Sequence, residues 1–213
     1  MSLAAGCPRC TFPVLDDEAG SGWACPAHGP IRPLWRPQEV GYEDFTAHLR
    51  AAPDFPTYLP WPMGPAWSVS DFALVGDGER LTAGTLTCTS GTSEQDGPVD
   101  VLVVTEEAGT GLGARCARTA YDDPGGEIRD GVPALRIRVE GQVVPLWSVS
   151  TSAADGEFDR SVLAGEAHGR WLWVVLRPAS AVLMLGDDWI LRDVSRLGPE
   201  LVETVFGGPA PAW

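Results

Sequence analysis

Two short runs near the N-terminus, Cys7-Pro8-Arg9-Cys10 and Cys25-Pro26-Ala27-His28-Gly29, constrain this chain more than any other feature of it. Each run reads ligand, proline, spacer, ligand. Side chains three residues apart in a tight turn converge on one point, and the proline presets that turn while leaving nearby amide N–H groups free to support sulfur. Two such turns facing each other make a tetrahedron of Cys7, Cys10, Cys25 and His28. Three thiolates and one imidazole suit a structural zinc ion, one per chain, with no open coordination position; iron fits the same donors less well. The 14 residues from Thr11 to Ala24 fall just under the usual separation of paired knuckles. They are read as a hairpin with Asp16 to Gly22 as its turn and Trp23 over the site. A disulfide reading would require an oxidising compartment, and a thioredoxin-type motif would require a preceding strand and a following helix, which the flanking sequence lacks.

The first 36 residues are rich in Pro, Gly and Cys and have too little apolar content for a core of their own, so metal binding must supply most of their folding free energy. The remainder differs. With 213 residues, 44% of them hydrophobic, and 9 tryptophans, the chain has ample material for one packed domain beside a small appendage. Residues 1–36 are therefore assigned to a zinc ribbon, 37–65 to a short helix and Pro-rich connector, and 66–213 to a β-rich globular domain. Pro37 to Ala52 carries acidic residues early and Phe45, His48, Leu49 and Ala52 at helical spacing, with Pro53 as a stop; His48 is read as facing the surface. The run from Pro53 to Pro65 holds five prolines among bulky aromatics and is expected to be extended and packed.

From Ala66 onward short β-branched and aromatic stretches recur between turn-forming clusters: AWSVSDFALVG, RLTAGTLTCTS, VDVLVVTEE, ALRIRVE, QVVPLWSVS, RSVLAGEA, RWLWVVLR, SAVLML and WILRDV. Glu140-Gly141 predicts a hairpin turn. Pro199 to Phe206 predicts one more short helix, and the terminal PAPAW has no patterning. The fold class expected is α+β, mainly β: a small ribbon followed by an antiparallel β-rich domain with few short helices.

Composition removes several chemistries. The chain has no lysine and no asparagine, so all 15 basic residues are arginine; a GC-rich genome explains both absences. Schiff-base lysines, Walker-loop lysines and Cys-His-Asn triads are excluded all the same. The net charge is −14. The ribbon is balanced, with Arg9, Arg32 and Arg36 against Asp16, Asp17 and Glu18, so the body carries the excess, and a surface that acidic repels nucleic acid. No secretory leader and no membrane span is indicated, since the most apolar stretch, Trp171 to Leu176, is far shorter than the roughly 20 residues a membrane helix needs. Together with five cysteines, an odd number, this predicts reduced thiols in the cytoplasm.

Within the body, Gly109-Thr110-Gly111-Leu112-Gly113-Ala114-Arg115 follows a predicted strand and resembles a phosphate loop. Its glycine spacing is wrong for one, and Glu106 and Glu107 stand where a phosphate needs positive charge. A Gly-rich bend fits better, with Arg115 as the one anion-binding group. Glu166 and His168 lie two apart on one strand and form the one acid/base pair worth naming, against the reading of a strand-end histidine paired with a neighbour. Cys88 and Cys116 read as buried small apolar residues. Trp61, Trp67, Trp147, Trp171, Trp173 and Trp189 read as core, with a ligand groove as the alternative.

The two knuckles, PWPMGPAW, VLVVTEEAGTGLGAR, VPLW and AGEAHGRWLWVVLRP together resemble an uncharacterised actinobacterial family, a domain of unknown function with an N-terminal zinc ribbon. Some of its members carry a phosphotransacetylase label, but this chain has neither the large α/β architecture of such enzymes nor a matching motif. The resemblance implies the four metal ligands and no catalytic residue. The function expected is a non-catalytic binding or regulatory module recognising a protein or small-molecule ligand. The alternative is a small-molecule transferase or hydrolase using the Arg115 loop and Glu166/His168.

Overall fold

The computed structural model describes residues 3–17, 22–77, 81–151, 159–186 and 188–213. It is mainly β, as the patterning predicts. Among the described residues fourteen strands form two sheets. The small sheet joins β2 (Leu15–Asp17), β3 (Gly22–Cys25) and β4 (Gly29–Ile31), antiparallel throughout. The predicted turn at Asp16 to Gly22 spans residues 18–21, which lie outside the described residues.

The large sheet has 11 strands. Its first half is β1 (Leu3–Gly6), β5 (Leu34–Pro37), β7 (Ser68–Gly76), β8 (Thr82–Ser93) and β9 (Gly97–Glu106). Then come β13 (Arg170–Arg177), β12 (Ser161–Ala167), β11 (Gln142–Ser148), β10 (Leu135–Val139), β14 (Ile190–Asp193) and β6 (Tyr58–Pro60). All neighbours are antiparallel except β10 and β14. The Pro-rich connector thus supplies an edge strand. Glu140 and Gly141 turn the β10–β11 hairpin with both φ values positive (48° and 80°), as a two-residue primed turn requires.

The central strands read as unbroken apolar runs because both faces of the sheet are covered. Side chains alternate along a strand, and Leu102, Val104, Trp173 and Val175 enter one core while Val101, Val103, Val174 and Leu176 enter the other. A third cluster, with Phe45, Leu59, Val69, Phe72 and Leu201, lies under α1 (Tyr42–Ala51). The stretch SAVLML is not a strand: Ala179–Met184 forms a 3₁₀ helix that buries Ala181 while Leu183 stays exposed. Gly198–Glu203, in the region predicted helical, is also 3₁₀. Among the described residues no helix is long and apolar enough to cross a membrane.

His48 departs from its predicted surface position. It is 4% exposed, stacked on Phe45 and edge-on to Phe72, with Nε2 3.3 Å from the Thr57 hydroxyl. Burial lowers its pKa from 6.5 to about 4. Because the folded value lies below the unfolded one, the unfolded chain takes up the proton first as pH falls through 6.5. Stability is then lost progressively down to the folded pKa, by about 3 kcal/mol in all. Denaturant unfolding from pH 7 to 4 should show this slope in the parent and a shallower one in His48→Leu; equal slopes would assign the acid sensitivity elsewhere.

Candidate metal centre

The two Cys-Pro turns meet as the spacing predicts. The ligand atoms of Cys7, Cys10, Cys25 and His28 all lie within 4.8 Å of one another. Cys10 Sγ and Cys25 Sγ are 3.6 Å apart, and His28 Nδ1 lies 3.6, 3.5 and 3.5 Å from the sulfurs of Cys7, Cys10 and Cys25. Separations of this size suit the edges of a tetrahedron that could hold an ion. Zinc–sulfur bonds of about 2.3 Å and a zinc–nitrogen bond of about 2.0 Å place sulfurs about 3.8 Å apart and sulfur about 3.5 Å from nitrogen. The Cys10–Cys25 separation is far too long for the roughly 2.05 Å bond of a disulfide, and all five cysteines are free. The residues therefore fit a metal ion such as zinc.

The surroundings support the sulfurs. Arg9 N donates to Cys7 Sγ at 3.4 Å, and His28 N closes its turn on the Cys25 carbonyl at 3.2 Å. Cys7 and Cys25 are buried, and His28 is exposed at the outer vertex. Burial pushes the Cys7 thiol up to about 11 against the pull of the Arg9 amide. At Cys25 burial is outweighed by the His28 ring and the Ala27 amide, which bring the thiol down to about 6. A cation at the centre would hold all three as thiolates. Trp23 packs edge-on against Trp35 of β5, with ring centroids 5.5 Å apart.

The lobe is clamped to the body from both sides. Arg9, the spacer of the first knuckle, donates to the carbonyls of Gly109 and Thr110 and pairs with Asp122 at 3.3 Å. In return Arg115 Nη1 donates to the Cys7 carbonyl at 2.5 Å. Arg32 pairs with Glu107 at 3.2 Å. The cleft lined by Arg9, Arg32 and Glu107, about 290 Å³, thus has both lining arginines paired with carboxylates.

The phosphate-loop lookalike also resolves. It is a turn into a helix the sequence reading missed, α2 (Leu112–Ala117), and the acceptor at the start of α2 is the chain's own Glu106 carboxyl. That side chain is fully buried and accepts N–H bonds from Leu112 at 2.8 Å and Gly113 at 3.1 Å. Burial raises its pKa to about 8, outweighing the two amides. Gly113 permits the approach: a Cβ there would stand 2.2 Å from the Trp173 ring.

A family model matches the chain over residues 1–213. The chain belongs to the DUF6758 family. That family is described as one of unknown function, and comparison with curated proteins and with solved structures finds no match. In this DUF6758 chain the group of Cys7, Cys10, Cys25 and His28 could hold a metal ion such as zinc.

The other singled-out residues are spoken for. Glu166 is ion-paired with Arg129, while His168 sits exposed in the β12–β13 turn at φ 52°. Among the described residues, neither they nor Arg115 line the cavities beside Arg9, His48 or Trp67. Cys88 and Cys116 are fully buried, with burial pushing Cys88 up to about 12 and Cys116 well up too, so neither is a ready nucleophile.

Sequence reasoning missed a second cluster at the unpatterned C-terminus. Trp213 Nε1 donates to buried Asp71 at 2.7 Å, Arg36 pairs with the same carboxylate at 2.6 Å, and the guanidinium groups of Arg36 and Arg115 lie 4.7 and 4.9 Å from the Trp213 ring. The tail is thereby tied to the helix that holds Cys7. Its partner Asp71 is 142 residues away in sequence, which no local pattern signals.

Proposed function

We propose that this protein is a zinc-stabilised, non-catalytic binding module, with one structural zinc ion per chain held by Cys7, Cys10, Cys25 and His28. The observation that carries this reading is the closed donor set: four protein ligands at tetrahedral edge distances leave no coordination position for substrate. Support also comes from the named acid/base residues. The carboxylate of Glu166 is neutralised by Arg129, and His168 is exposed in the β12–β13 turn. A general base must reach the proton it abstracts within a site that holds the substrate.

His168→Ala and Glu166→Gln are therefore expected to fold like the parent and to restore a deletion strain. A variant with the parent's melting temperature that behaves like the deletion would make the protein an enzyme and overturn the proposal.

A further inference from the structure

Along β8, alternate threonines reach across to the connector. Thr85 Oγ1 donates to the Pro56 carbonyl at 2.7 Å, and Thr87 Oγ1 to the Tyr58 carbonyl at 2.6 Å. The next threonine on that face, Thr89, is 1% exposed, and its hydroxyl has no partner. The chain that supplied the first two carbonyls turns off here. Trp61 N is held by the Ile190 carbonyl at 3.0 Å, and a cavity of about 170 Å³ opens against Thr89 instead. A buried hydroxyl without a partner is costly, so it marks a group left for something else to satisfy.

The cavity walls are Trp67, Trp189, Pro62, Met63 and Met184. On the far side of Trp67 and Pro62 lies a second cavity, about 200 Å³, reached by Trp61, Pro65 and Glu203. The first is smaller than a drug-sized pocket of roughly 300 Å³ or more. Two side-chain-sized hollows sharing one wall instead suit successive rings of an extended chain. Trp67 is fixed in that wall by Gly91, where a Cβ would stand 2.4 Å from the indole.

We propose that these paired hollows receive a proline-rich segment of a partner polypeptide in the polyproline II conformation, with a prolyl ring between Trp67 and Trp189 and a partner carbonyl accepting from Thr89. Such a segment supplies what the third rung lacks, a backbone carbonyl, and packs its rings on aromatic walls with little ordering entropy to lose. Charge selects the flanks. The chain carries −14, and Glu203 at one rim and Asp188 beside Trp189 are exposed, so arginine or lysine next to the prolines is favoured. The inference deepens the binding-module reading and rests on it.

The test is titration of the full chain with a synthetic peptide of eight prolines flanked by arginines, followed by tryptophan fluorescence and calorimetry, beside a control with alanines for prolines. Saturable binding of the proline peptide alone is expected. Trp189→Ala should weaken it about tenfold or more, as buried tryptophan anchors do. Thr89→Val should weaken it several-fold while the melting temperature holds or rises, because valine keeps the shape and removes the orphan hydroxyl. No saturable binding, equal binding of the alanine control, or binding unchanged by both substitutions would each overturn the proposal. If the titration fails while His168→Ala still restores the deletion strain, this partner class is lost and the non-catalytic reading stands; if His168→Ala fails to restore it, that reading falls whatever the peptide does.

Discussion

Cys25→Ser is expected to release the metal ion and unfold the lobe between Gly6 and Leu34, while most of the large sheet stays paired. A serine hydroxyl is neutral where the ion needs a thiolate, and the three remaining ligands leave it open to water. Within the lobe itself there is little secondary structure or apolar packing to replace the ion. Its strands are three or four residues long, and Phe12 and Leu15 are exposed. Structural zinc in such small units supplies about 10–16 kcal/mol of apparent binding free energy, far more than those strands can replace. The Arg9 and Arg115 clamps would go with the lobe, because both grip the first knuckle. The body has its own cores, and β5 remains paired to β7 through Leu34 and Trp35. Limited proteolysis should cut Cys25→Ser within the lobe, and thermal unfolding should retain a cooperative transition for the rest. A protease-resistant lobe in the variant would show that burial, not metal, holds it.

Glu106→Ala should be among the most damaging changes in the body. It leaves the buried N–H groups of Leu112 and Gly113 without acceptors, at about 1–3 kcal/mol each, and adds a cavity, so a loss of roughly 3–5 kcal/mol is expected in denaturant unfolding. Glu106→Gln keeps the volume and one acceptor and should cost about 1 kcal/mol. The pH dependence separates the two effects. With a folded pKa raised from 4.5 to about 8, the folded state holds this proton longer than the unfolded one. The parent's stability should therefore fall as pH rises through that window. The gap between parent and Glu106→Gln should narrow as pH rises from about 4.5 to about 8; a gap that stays constant over that range would mean the buried carboxylate is ionised throughout it.

Local chemistry made the metal ligands and most strands legible. Cys7, Cys10, Cys25 and His28 announce themselves because two turns of fixed spacing are all the site needs. The runs around Leu102 and Trp173 announce strands because β-branched and aromatic residues crowd between turn formers. What stayed hidden depends on partners distant in sequence. Helix α2 was masked by its glycines, and it stands on the Glu106 carboxylate and the Trp173 ring. His48 looks like a surface residue until Phe72 covers it. SAVLML has the residues of a strand, but Ala179–Met184 winds as a 3₁₀ helix after Pro178. PAPAW has no pattern at all, since Asp71, Arg36 and Arg115 fix its final tryptophan. The strand order was equally out of reach, because placing β13 between β9 and β12 is decided by long-range pairing.

Three sulfurs and one imidazole nitrogen are expected to hold one structural zinc ion. Elemental analysis of the protein purified under reducing conditions, with zinc-edge X-ray absorption on the same sample, tests it most directly. One zinc per chain with a shell of three sulfurs and one nitrogen at about 2.3 and 2.0 Å is the predicted result. Protein free of metal, a shell containing oxygen from water, or a Cys7–Cys10 disulfide would contradict it.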